Sequence, residues 1–202
     1  EDVLNQFENN SEKTDWLSIQ QLASPNFTEK RWLNNTIHML SNNYLQKLKK
    51  EYELRINIAY LNDYQQQNGF SNTQFITPTN TIDLLEEKYN QLYFNSLQTN
   101  FTLQKNSTKN YFKNSLEFHG FWDSQRGKII LDNQSLEQKL SNNFFRISNN
   151  LKSIFPFGKQ IITLNSIVSL NKTPQTLIVN PGQFESLLNN DLPINEVSQE
   201  IN

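Results

Sequence analysis

Alanine stands at only two positions, Ala23 and Ala59, and glycine at five, in a chain of 202 residues crowded with Asn and Gln. Both are ordinarily among the commonest residues. A chain that avoids them must build its core from Leu, Ile and aromatic side chains. Hydrophobic residues make up 36% of the sequence, below the roughly 45–50% usual for soluble domains. Phe, Tyr and Trp supply 12%, and each buried ring removes a large apolar area from water. The expected core is therefore thin and aromatic. Five glycines can hardly build a glycine-rich phosphate cradle, and no such motif is present.

Charge and cysteine content narrow the chemistry. The formal net charge is −2, whereas a nucleic-acid binder shows a basic surplus or stripe. The densest basic cluster, Lys47 to Lys50, is followed at once by Glu51 and Glu53. No nucleic-acid partner is expected. Cysteine is absent, which removes disulfides, thiol nucleophiles and thiolate metal sites. No run of 18 apolar residues is present, so nothing here is expected to span a bilayer. The opening Glu1-Asp2 reads as a processed or cut terminus without a leader in this stretch.

Periodicity predicts an α+β fold, with three N-terminal amphipathic helices followed by a small antiparallel sheet carrying one packed helix. Residues 1–13 read as a frayed segment, 14–112 as a helical region, 113–189 as a small α+β region and 190–202 as a flexible acidic tail. The first helix runs from Thr14 to Leu22 and stops at Ser24-Pro25. The second starts at Thr28 and shows Leu33, Ile37, Leu40, Tyr44 and Leu48 on one face. Tyr52, Leu54, Ile56, Ile58 and Tyr60 alternate like a strand, while Leu54, Ile58 and Leu61 also fit a helix. With no breaker before Gly69, one helix to about Gln66 is favoured. A polar loop over 67–80 precedes a third helix with the stripe Ile82, Leu85, Tyr89 and Leu92.

In the C-terminal half, Leu116 to Leu131 reads as a hairpin turning at Ser124-Gln125-Arg126-Gly127. Ser135-x-x-Gln138 matches a capping box, and Leu136, Leu140, Phe144, Ile147 and Leu151 form a helical stripe ended by Pro156 and Gly158. Strands are expected at 160–170 and 175–180, and a short helix at 183–189.

No hydrolase, nucleotide-binding or metalloprotease motif is present. The two histidines, His38 and His119, have no partner at ligand spacing. No catalytic residue, metal site or cofactor is expected. The weak ligand or interaction candidates are His119, Trp122 and Arg126. Arg can pair with a carboxylate and Trp can stack on a flat ligand.

Trp122-Asp123-Ser124-Gln125-Arg126 resembles the W-x-S-Q-R stretch of the S-type phycobilin lyases, a lipocalin-like barrel family. The resemblance covers five residues and implies a bilin-handling module. The Ala-poor, Asn/Gln/Leu-rich text suggests an AT-rich genome such as an organelle's. In style, without a motif, it is similar to soluble segments of large assembly proteins encoded in green-algal plastids, such as the large subunit of the chloroplast inner-envelope import translocon. That similarity implies a non-catalytic structural subunit or segment, held by other protein subunits in a membrane-associated assembly without a transmembrane span in this stretch. The implied compartment is the chloroplast, with the mitochondrion as alternative. A ribosomal-protein extension is the third reading.

Overall fold

The computed structural model describes residues 16–22, 34–108, 110–132, 134–180 and 197–201. Eight strands form one antiparallel sheet: β1 Asn34–Lys47, β2 Tyr52–Ile76, β3 Thr81–Asn106, β4 Tyr111–Leu131, β5 Gln134–Phe157, β6 Gln160–Lys172, β7 Gln175–Asn180 and β8 Val197–Ile201. Neighbours in sequence pair from β1 to β5. β6 and β7 then lie end to end along β5, and β8 pairs with β7. The break between β6 and β7 falls at Pro174, which has no N–H to give a ladder. Its carbonyl still accepts from the Asn143 N–H at 3.1 Å. β3 has 26 residues, about 85 Å of extended chain, far beyond the usual five or six residues of a strand.

The expected α+β fold is overturned: no α-helix occurs among the described residues. Part of the first helix, 16–22, is described and is irregular coil. The second is β1 and the start of β2, and the third is β3. The packed C-terminal helix is β5. The reason is geometric. Residues at i and i+4 share a face in a strand as well as in a helix. Leu136, Leu140 and Phe144 are such a set, but Ile147 and Leu151 have odd numbers and lie on the other face of β5. The alternation from Tyr52 to Tyr60 is the true pattern. Asn, Thr and Ser are poor helix formers, and almost no alanine offsets them.

Turns differ as well. β4 runs straight through Ser124 to Gly127, so the expected hairpin is one strand. The expected loop at 67–80 is mostly β2, with its turn at 77–80. Gly158 (φ 66°) turns the β5–β6 hairpin instead of ending a helix. Strands do lie at 160–172 and 175–180. Residues 1–13, the cap at Thr28 and the helix at 183–189 lie outside the described residues. Of the tail, 197–201 form β8.

Strand register sorts the side chains onto two faces. One face carries a strap, 16–22, that crosses the strands. Leu17 and Ile19 are buried there with Leu92 and Leu140, and Phe94 and Leu177 pack against them. Side-chain amides hold the strap's backbone. Gln175 Oε1 accepts from the Trp16 and Leu17 N–H groups, both at 3.2 Å. Gln138 Oε1 accepts from the Gln20 N–H at 2.9 Å, and Asn90 donates to the Gln20 carbonyl at 3.1 Å. The capping-box glutamine thus does satisfy a backbone donor, but on the strap and not on a helix. Gln175, Asn90 and Asn142 are among the most deeply buried side chains.

Candidate functional site

His119, Trp122 and Arg126 all lie on β4, and strand alternation separates them. His119 is on the strap-bearing face. Trp122 and Arg126 are on the other, four residues apart. His119 Nε2 lies 3.3 Å from Gln98 Nε2, an amide donor, and its ring meets Phe144 edge-on at 5.5 Å. It borders a polar trough of about 430 Å³ lined by Asn57, Gln98, Asn100, Glu117, Arg146 and Ser148, among others. The three candidates do not converge on one pocket. Among the described residues no cluster of three His, Asp or Glu could hold a metal.

The feature that sequence reasoning missed is the opposite face. Cross-strand registers align its side chains in rows. One row is Leu40, Tyr60, Leu97, Gly120 and Phe145. The next is Asn42, Ile58, Thr99, Phe118, Ile147 and Leu170. Then come Tyr44, Ile56, Phe101, Leu116, Asn149 and Val168. Leu54, Leu103 and Leu151 follow, and then Tyr52, Phe112 and Leu164. Leu40, Val168 and Leu170 are each more than 60% exposed, and Tyr44, Phe101, Leu116, Phe145 and Ile147 are also exposed. Inside the band the Asn149 side chain donates to Asn114 Oδ1 at 2.9 Å.

Over β2 to β4 the band has polar and aromatic borders, whereas on β5 and β6 it runs on through Phe155, Ile162 and Phe157, exposed on the same face. On one side runs the row His38, Asn62, Asn95, Trp122 and Asn143. Asn62 donates to Asn95 Oδ1 at 2.7 Å, and Asn95 donates to the Trp122 carbonyl at 3.2 Å. Just beyond, Tyr64 stacks on Tyr93 with ring centroids 4.6 Å apart. On the other border Tyr52 meets Phe112 edge-on at 6.2 Å, and Lys105 sits over the Tyr52 ring. Aromatic residues therefore mark both margins.

The strap-bearing face at the same level is polar over β2 to β5: Asn57, Asn100, Glu117 and Ser148 form one of its rows. At the edge strands this changes. Ile37, Met39 and Leu45 on β1, and Ile161 and Ile167 on β6, add exposed apolar groups to the polar side. Phe70 and Ile76, near the β2–β3 tip, are exposed outside the band.

No known protein family matches the chain, and no curated protein does. Among solved structures, the membrane pore complex of pneumolysin aligns with 84% of this chain at 8% identity and a TM-score of 0.15. The alignment takes in 39% of the pneumolysin chain. A TM-score that low is no shared fold.

Proposed function

We propose that this chain is a non-catalytic structural element whose apolar sheet face lies against membrane hydrocarbon, as part of a β-barrel wall. One observation carries the reading: an exposed apolar band with aromatic margins on one face, backed by a polar face. Spanning barrel strands alternate in this way, with aromatic girdles at both interfaces. The band's height fits. Tyr52 to Tyr60 on β2 and Phe112 to Trp122 on β4 bracket the roughly 9–11 residues that a tilted strand needs to cross. Among the described residues no helix is long and apolar enough to cross a membrane, and crossing by strands is a separate matter.

Hydrocarbon tolerates a sheet only when its edges are closed. Among the described residues β1 pairs only with β2, and β6 only with β5. The outer edges of β1 and β6, with their additional apolar residues, are where the rest of the wall attaches. That wall comes from further strands or from other subunits, in keeping with a subunit or segment of a larger assembly. Its place in a plastid assembly is proposed on amino-acid composition alone. The bilin-handling reading gains nothing from His119, which faces away from Trp122 and Arg126.

Vesicle flotation of the 202-residue chain tests the proposal. Co-flotation with phosphatidylcholine vesicles, resistant to high salt, is expected. A monodisperse monomer that stays soluble without detergent and ignores vesicles would sink it.

A further inference from the structure

Beyond the Trp122 border the same face turns polar and basic. Arg126 and Lys139 are direct cross-strand partners, and Lys128 follows on β4 opposite Glu137. Two cations directly opposite each other repel. All three basic side chains are exposed, and among the described residues none forms an ion pair. They line a cavity of about 480 Å³ shared with the amides of Gln66, Asn68 and Gln91. The three cations face one carboxylate in the lining, Glu137. Glu87, nearby on the same face, accepts from the Tyr89 hydroxyl.

We propose that Arg126, Lys128 and Lys139 bind the phosphate of an anionic lipid headgroup. The inference rests on the lipid-facing reading of the band. Position and charge select the ligand. Arg126 is four residues past Trp122, about 13 Å along the strand, where headgroups lie if Trp122 marks the margin of the hydrocarbon. A phosphate relieves the Arg126–Lys139 repulsion, and the guanidinium can hold two of its oxygens at once. The neighbouring amides supply further donors.

The sequence contains a natural control. Lys113 and Lys152 are also direct cross-strand partners, but on the polar face near the opposite margin. Flotation compares vesicles of phosphatidylcholine alone with vesicles that also contain phosphatidylglycerol. The native chain is expected to favour the anionic vesicles. R126Q/K139Q should lose roughly tenfold of that preference and keep its binding to neutral vesicles, while K113Q/K152Q keeps both. Equal losses in the two variants would reduce the effect to overall charge and overturn the site. Equal native binding to both vesicle types would also overturn it while leaving the membrane reading intact. No binding to either would overturn the membrane reading itself. Inorganic phosphate is tested alone by thermal shift. Stabilisation of the native chain but not of R126Q/K139Q, without a vesicle preference, would assign the site to a free anion and overturn the lipid assignment.

Discussion

Asp123 accepts a hydrogen bond from the backbone N–H of Asn95 at 3.1 Å, at the level where pairing between β3 and β4 skips Phe94 and Asn95. The Asn95 amide in turn takes the Trp122 carbonyl at 3.2 Å. Two side chains thus satisfy a backbone donor and a backbone acceptor where the ladder is interrupted, at the row that borders the apolar band. Asp123 is buried. D123A should cost about 1–3 kcal/mol, because it leaves a part-buried donor without its acceptor. D123N, which keeps an oxygen acceptor, should cost less. Urea unfolding from detergent micelles reads both.

The strap depends on Gln175 in the same way. One side-chain oxygen serves the N–H groups of Trp16 and Leu17. Q175L keeps the side-chain bulk and removes the acceptor. It should loosen 16–22 by about 1–3 kcal/mol, seen as faster hydrogen exchange at Leu17 and Ile19 with the β3–β4 amides unchanged. Unchanged exchange in the strap would show that Leu17 and Ile19 burial and the Gln138 and Asn90 bonds to Gln20 hold it without Gln175.

Space under the strap is also limiting. A Cβ built on Gly127 would stand 3.0 Å from Asn90 Oδ1 and 3.3 Å from Ile19 Cδ1. G127A should therefore lift Ile19 and raise exchange in the strap. At Gly69 the obstruction is the end of the flexible Leu22 side chain, so G69A should be milder.

How much of this was legible in the sequence turns on spacing. The alternation Tyr52, Leu54, Ile56, Ile58, Tyr60 was plain, and it names the apolar face of β2. A helix fits the same stretch because no breaker comes before Gly69, yet Gly69 itself lies inside β2. On β5 the stripe from Leu136 to Leu151 changes face between Phe144 and Ile147, a change that helical spacing conceals. The border row His38, Asn62, Asn95, Trp122 and Asn143 could not be seen at all, because it exists only once five strands are in register. Trp122 and Arg126 were singled out for a five-residue motif. They share one face of β4, and His119 lies on the other, a separation that only strand alternation makes visible.

Proton binding gives an independent check on the outer face beyond the band. The Tyr89 hydroxyl donates to Glu87 at 2.9 Å, and that hydrogen bond and the negative charge hold the phenol above its ordinary range. The contribution to stability is present below the ordinary tyrosine pKa and is lost as pH rises through the raised one. E87Q should lower the Tyr89 midpoint in an ultraviolet titration. No change would show that the pair does not persist in solution.

The claim that one face of the sheet meets hydrocarbon is tested most directly residue by residue along β2. Single tryptophans are placed at positions 54 to 59, in a background with the three native tryptophans replaced by Phe, and quenched with chain-brominated phosphatidylcholine. The expected result is a period of two, with strong quenching at 54, 56 and 58 and little at 55, 57 and 59. Uniform quenching, no quenching, or the opposite phase would contradict the account.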